Sequence, residues 1–79
     1  MSDIITEQLQ TALAETEAAT SSIELEAVET KHLGRNKGLN ELRRAIGGLP
    51  KEERPAFGAR INEAIGTLTT HIESRRALL

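Results

Sequence analysis

The spacing of apolar residues near the C-terminus limits the possible folds more than any other feature. Bulky aliphatic residues follow one another there in steps of four, three, four and seven, at Ile61, Ile65, Leu68, Ile72 and Leu79. This is the heptad pattern of a helix that buries one face against other helices, and Arg75 stands at the position the pattern skips. Proline is tolerated only in the first helical turn, so Pro55 rules out a start before about residue 52. One long helix is predicted, starting between Lys51 and Pro55 and running to Leu79.

Three shorter helical segments are predicted before the long one. The first runs from about residue 3 to residue 19, and either Ser2 or Asp3 is expected to cap it. Its apolar positions recur at helical spacing, at Ile5, Leu9, Ala12, Leu13 and Thr16. The second covers about residues 22–33 with a weaker stripe, at Ile23, Leu25, Ala27, Val28 and Leu33.

Glycines punctuate the middle of the chain. Gly34 is expected to end the second segment with a positive φ. The third segment covers about residues 38–46, places Leu39, Leu42 and Ile46 on one face, and is stopped by Gly47 and Gly48. The sequence leaves open whether the second and third segments form one bent helix.

These segments predict an all-α fold, an antiparallel helical hairpin (a coiled-coil arm) with an additional N-terminal helix. The second and third segments would run back along the fourth, with residues 47–50 at the tip. The first would pack near the open end. Phe57 is the only aromatic residue, so the core is expected to be aliphatic. We expect residues 1–79 to form a single helical arm domain and to be the N-terminal fragment of a longer chain, because no helix stop signal follows Arg75.

Charge is distributed unevenly along the chain. Residues 1–30 contain seven acidic residues and no Lys or Arg, whereas residues 31–79 contain all ten basic residues and five acidic ones. The net charge of −2 therefore hides two poles. A basic C-terminal portion can face a polyanion while the acidic segment turns away from it.

Cations in the glycine-bounded loop and around the predicted tip are the candidate binding residues. Flexible cations at such places can meet phosphates, which dominate affinity for nucleic acids, and A-form RNA exposes phosphates and 2′-hydroxyls. The alternative reading is ordinary solvated surface charge, with Arg60 pairing Glu63 on one helix face. The candidates are Arg35, Lys37, Arg43, Arg44, Lys51, Arg54 and Arg60.

Other polar residues indicate structure rather than chemistry. Asn62 is read as a polar residue that fixes helix register in the seam, or else as an RNA contact. Gly58 is expected to permit close helix approach at the tip. His32 and His71 are expected to be solvated surface residues, and no metal site is predicted.

Several function classes find no support in the residues. The chain has no Cys for a disulfide or thiolate site, and no apolar run of the roughly 18 residues that cross a bilayer. It has no glycine-rich phosphate loop and no nucleophile–base pair, so no catalytic residue is predicted. The N-terminus carries no signal-peptide pattern, which fits a cytoplasmic protein.

Several of these motifs together resemble the N-terminal domain of the alpha subunit of bacterial phenylalanyl-tRNA synthetase. The resemblance covers the whole chain, and its strongest parts are Leu33-Gly34-Arg35, Glu52-Glu53-Arg54-Pro55, Gly58 and Ile61-Asn62. This chain departs from the family at two positions. The family usually has Gly at the position of Lys37, whereas the glycine of this chain comes one residue later, at Gly38. The family usually has a helix-forming residue at the position of Gly66.

The resemblance implies a tRNA-binding coiled-coil arm that positions tRNA(Phe) for aminoacylation. It implies a cytoplasmic class II ligase with a beta subunit, arranged as an (αβ)₂ heterotetramer. It also implies ATP and Mg²⁺ as cofactors of the parent enzyme, with the catalytic domain outside these 79 residues. Membrane and DNA are not expected partners. The alternative is a non-catalytic helical-hairpin module that docks another protein.

Overall fold

The computed structural model describes residues 3–79, and within that range it contains helices and no strand. The predicted all-α class is confirmed. Four α-helices and one 3₁₀ helix follow each other along the chain: α1 (Ile4–Ala18), α2 (Ser22–Leu33), α3 (Leu39–Leu42), the 3₁₀ helix Arg43–Gly48 and α4 (Arg54–Leu78).

The helix N-termini follow the local chemistry of the sequence. The Asp3 carboxylate accepts a hydrogen bond from the Ile5 backbone N–H at 2.9 Å, which satisfies one of the free donors of α1. Ser2, the other predicted cap, lies outside the described residues. The Ser21 hydroxyl caps α2 in the same way, 3.2 Å from the Glu24 N–H. The long helix α4 begins at Arg54 with Pro55 in its first turn, as predicted.

A loop separates α2 from α3, so the second and third segments are not one bent helix. Gly34 does end α2, but the prediction of a positive φ there was wrong, because its φ is −62°. Gly is needed for a different reason, since a Cβ at this position would lie 2.3 Å from the Thr30 carbonyl oxygen. The positive φ values fall at Asn36 (60°) and Gly38 (55°).

The third segment is mostly not α-helical. Its α-helical part is only the single turn Leu39–Leu42, and the chain then tightens into the 3₁₀ helix through both glycines to Gly48. The prediction of a helical segment over about 38–46, stopped by Gly47 and Gly48, was therefore wrong in helix type and in its end.

Helix α1 is the main packing partner of α4, and the two helices run in the same direction. At one end Asp3 pairs with Arg60. At the other end the Arg75 guanidinium donates to the Ala19 carbonyl oxygen at 2.8 and 3.2 Å. The first helix thus lies along α4. Helices α2 and α3 also contact α4, which is compatible with a hairpin, but the hairpin and coiled-coil details stay predictions.

The core is aliphatic, as predicted, and follows the stripes of the helices. The largest fully buried side chains are Leu25, Leu39, Ile61, Leu68, Ile72 and Thr16. Thr16 is the one polar residue among them, and its hydroxyl donates to the Ala12 carbonyl oxygen at 2.8 Å. Three predicted stripe members are at the surface instead: Ile23 at 80% exposure, Leu79 at 48%, and Ala27. The molecule measures 43 × 24 × 18 Å, so it is elongated along α4.

Candidate nucleic-acid interface

The loop between α2 and α3 is held in place by one amide side chain. Asn40 Nδ2 donates to the Leu33 carbonyl oxygen at 3.0 Å, one of the carbonyls left free at the end of α2, and to the Gly34 carbonyl oxygen at 3.4 Å, which also accepts a hydrogen bond from the Lys37 backbone N–H. Because Asn40 belongs to α3, this contact ties the loop to the following helix. The loop conformation that presents Arg35 is therefore fixed on both sides.

Three of the candidate cations meet around one open hollow, which we call the basic hollow. Its lining residues are Leu33, Arg35, Asn36, Asn40, Arg43 and Arg44, and none of them is acidic. Arg35, Arg43 and Arg44 are all exposed. The side chains of Arg35 and Arg44 make no hydrogen bond or ion pair to any described residue. The hollow therefore presents positive charge with no carboxylate in its lining.

Arg43 is anchored to α4. Its Nη2 donates to the side-chain oxygen of Asn62. Asn62 is exposed, so the interpretation of this residue as a polar position within the buried seam was wrong. Its neighbours Ile61 and Ala64 carry the buried face at that level of the helix. A direct contact between Asn62 and RNA stays a prediction.

Two further candidates lie away from the basic hollow. Lys37 borders a different hollow together with Glu26, Glu29 and Glu41. Arg60 pairs with Asp3, and its hydrogen bond to that carboxylate is the main reason why the pKa of Asp3 lies below its usual value. Residues two apart on a helix point about 200° apart, so Arg60 faces the opposite side of α4 from Asn62.

Lys51 lies in the turn that precedes α4, and Arg54 is the first residue of that helix. The Arg54 guanidinium donates to the carbonyl oxygens of Leu49 at 3.1 Å and Gly47 at 3.2 Å, which fastens the turn. Lys51 is exposed and has no side-chain hydrogen bond or ion pair within residues 3–79. At Gly58 an added Cβ would make ordinary contact with Ile46 at 3.6 Å, so the close approach expected there does not demand glycine.

The acidic N-terminal region does not simply turn away from the cations. Three ion pairs join it to later residues: Glu15 to Lys31, Asp3 to Arg60 and Glu29 to Arg76. These pairs neutralise cations on the α1 side of the molecule and at its far end. The basic hollow is left as the place where arginines gather without carboxylates.

His32 is buried, so the prediction of a solvated His32 was wrong. Only 6% of this residue is exposed, and its Nε2 lies 3.2 Å from Glu15 Oε1. Lys31 Nζ lies 3.1 Å from both Glu15 oxygens. A sequence signal was present, because His32 continues the buried face of α2 four residues after Val28. His71 is exposed, as predicted.

The charge on Glu15 links α1 to α2. Burial of the carboxylate works to raise its pKa, but hydrogen bonds from Lys31 and His32 outweigh burial and lower the pKa overall. A carboxylate with a depressed folded-state pKa stabilises the fold above its unfolded pKa of about 4.3. That stabilisation is lost as the pH falls through the folded-state pKa.

We therefore expect Glu15→Gln to lower the free energy of unfolding at neutral pH, and the deficit to disappear as the pH falls through the lowered folded-state pKa of Glu15. Urea titrations of the parent and the variant at several pH values measure this. Glu17→Gln removes the same charge from an exposed side chain without a described partner and serves as the control. A deficit that is independent of pH would contradict the ion-pair origin.

The described residues also bear on metal and membrane chemistry. Within residues 3–79 no three or more His, Asp or Glu side chains are grouped so that they could hold a metal ion. In the same range, the helices are too short or too polar to traverse a lipid bilayer.

Among known families, residues 20–79 match the family model described as "Aminoacyl tRNA synthetase class II, N-terminal domain". That range includes α2, the loop, the basic hollow and all of α4. No solved structure matches the chain significantly.

Curated relatives give a more specific similarity. The phenylalanine–tRNA ligase alpha subunits of Moorella thermoacetica and Nocardia farcinica are each 41% identical to this chain, over 94% and 98% of its length. The subunit of Staphylococcus epidermidis is 31% identical over 98%. The chain covers 23%, 24% and 22% of these proteins respectively, so it spans less than a quarter of each of these relatives.

Proposed function

Because this chain belongs to the N-terminal domain family of class II aminoacyl-tRNA synthetases, we propose that it is the arm with which a phenylalanine–tRNA ligase alpha subunit binds tRNA. In this proposal the arm positions tRNA(Phe), and aminoacylation takes place in a domain beyond these 79 residues. The parent enzyme would be cytoplasmic, with a beta subunit in an (αβ)₂ assembly. The family membership and the names of the relatives support this context.

The observation that carries the proposal is the basic hollow. Arg35, Arg43 and Arg44 stand together there with no acidic side chain in the lining. Guanidinium groups match the geometry of phosphate oxygens and remain charged at every physiological pH. Folded tRNA offers phosphates and 2′-hydroxyls along its A-form stems, which proteins recognise by shape more than by sequence. The hollow suits such a backbone contact.

The remaining candidates divide by their surroundings. Lys51 has no described partner and is free to extend the contact surface at the turn. Arg54 is engaged with two backbone carbonyls, Arg60 with Asp3, and Lys37 borders an acidic hollow. We assign the basic hollow and Lys51 the larger share of RNA binding, and the other three cations a smaller one.

ATP and Mg²⁺ belong to the proposed parent enzyme and not to this arm. The described residues offer no carboxylate and histidine cluster that fits a metal ion. The contribution of this chain is binding and orientation.

Protein docking is a second candidate function, because four large apolar side chains of the described residues are exposed, namely Ile4, Ile23, Leu78 and Leu79. Ile23 is 80% exposed and Leu78 is 77% exposed. Binding through such residues depends on burial of apolar surface, which added salt does not weaken. Binding through the basic hollow releases counterions and weakens as salt rises.

Titration with a tRNA(Phe) transcript at two salt concentrations separates these functions. Three phosphate contacts predict a slope near −2.7 in a plot of log K against log salt, so that doubling the salt weakens binding about sixfold. Self-association measured by sedimentation in the same buffers tests the docking alternative. Absence of tRNA binding, or binding that salt leaves unchanged, would contradict the proposed function.

A further inference from the structure

The contact between Arg43 and Asn62 joins the basic hollow to α4, the longest of the described helices. We propose that Asn62 is a positioning residue that holds Arg43 at the hollow, so that the hollow is preorganised to take a phosphodiester group of a folded RNA. This inference rests on the proposed function and identifies what organises its site.

The backbone at Asn62 is held in place by the packing of its helix. This residue lies within α4, between Ile61 at 0% exposure and Ala64 at 3%. Packing of these neighbours fixes the backbone from which the amide projects, whereas Arg43 belongs to a short 3₁₀ helix with no buried residue. A long arginine side chain on such a segment loses rotamer freedom when it binds a ligand. The hydrogen bond to Asn62 removes part of that freedom beforehand.

The neutral amide suits this role better than a carboxylate would. An arginine has five N–H donors, and the Asn62 oxygen accepts from one terminal nitrogen, Nη2. The other donors and the full positive charge stay available for a phosphate. An aspartate at the same place would pair with the guanidinium, cancel its charge and repel a phosphate.

The other side of the hollow is organised in the same manner. Asn40 Nδ2 binds the carbonyl oxygens of Leu33 and Gly34 and thereby holds the loop that carries Arg35. The amide of Asn62 thus holds Arg43 at the hollow directly, and the amide of Asn40 holds Arg35 there through the loop backbone. This arrangement gives a cationic site that is ordered before RNA arrives and contains no competing carboxylate.

Two variants of Asn62 give different predictions for tRNA(Phe) transcript binding to the whole chain. Asn62→Ala leaves Arg43 charged but mobile, so we expect about two- to tenfold weaker binding with an unchanged salt slope. Asn62→Asp is expected to weaken binding at least tenfold and to make the slope shallower by about 1. Ser74→Asp is the control, because it adds the same charge to an exposed position about 18 Å further along α4, beyond the screening length.

A double-mutant cycle with Arg43→Gln tests whether Asn62 acts through Arg43. In the Arg43→Gln background, Asn62→Asp should lose most of its effect on tRNA affinity. Thermal unfolding of every variant shows whether stability changes, and the exposed position of Asn62 predicts little change.

The outcomes separate this inference from the proposed function. If the parent chain binds tRNA with a steep salt dependence but both Asn62 variants behave like Ser74→Asp, the inference fails alone. An undiminished effect of Asn62→Asp in the Arg43→Gln background would overturn it as well. If the parent chain does not bind tRNA, the proposed function fails and the inference with it.

Discussion

Reversing two charges in the basic hollow, by Arg43→Glu together with Arg44→Glu, is expected to raise the KM for tRNA(Phe) about 100-fold in the proposed ligase and to leave amino-acid activation unchanged. Two charge-assisted hydrogen bonds to phosphates are lost, each contributing about 1.5 kcal/mol or more. In the proposed ligase, activation of phenylalanine would need no tRNA and would take place in another domain. Steady-state aminoacylation and ATP–pyrophosphate exchange measure the two steps separately.

The control for this prediction uses a cation at the other end of α4. Arg76→Glu changes the net charge by the same amount as Arg44→Glu, but Arg76 pairs with Glu29 at the surface, far from the hollow. Loss of an exposed pair costs little stability. We expect Arg44→Glu to raise the KM strongly and Arg76→Glu to change it little. Equal effects of the two single variants would indicate a general charge effect and would contradict a localised site.

Leu68→Ala is expected to have the largest effect on stability. Leu68 is fully buried on the face of α4 that meets the other helices. Truncating a buried leucine removes its transfer free energy and leaves a cavity, at a cost of about 2–5 kcal/mol. A domain of this size buries only about 60% of the surface that its unfolded chain exposes, less than larger domains do, so its stability is marginal and a loss of that magnitude approaches the whole of it. Urea unfolding followed by circular dichroism measures the change.

Leu78→Ala provides the same chemical change on the same helix at 77% exposure. We expect it to alter the free energy of unfolding by no more than about 0.5 kcal/mol. A large loss in Leu78→Ala, or a small one in Leu68→Ala, would show that α4 buries a different face from the one described.

Most helix bounds could be predicted because they depend on local chemistry. The side chains of Asp3 and Ser21 accept hydrogen bonds from backbone N–H groups in the first turns of α1 and α2. Pro55 is tolerated only in a first helical turn and so sets the start of α4. The main partner of α4 could not be predicted in this way. Amphipathic stripes show which face of a helix is buried but not which helix covers it, and a parallel pairing of α1 with α4 leaves no trace in spacing.

The candidate site could be predicted in composition but not in arrangement. All seven candidate cations are at the surface, yet only Arg35, Arg43 and Arg44 share one hollow. Arg54 donates to the Leu49 carbonyl oxygen in the preceding turn, and Arg60 pairs with Asp3, which is 57 residues away along the chain. Neither partner follows a helical spacing that the sequence would reveal. His32 was predicted to be at the surface because its side chain is polar, but it lies on the buried face of α2. Tertiary contacts decided each of these cases.

The parallel contact between α1 and α4 also has a consequence for how the protein forms during synthesis. Asp3 meets Arg60, and Ala19 meets Arg75, so each of these contacts spans more than 50 residues. Non-local contacts of this kind slow folding, since a long stretch of chain must close before any of them forms. Helix α1 leaves the ribosome before α4, so the part of its apolar stripe that α4 covers stays exposed until α4 has emerged.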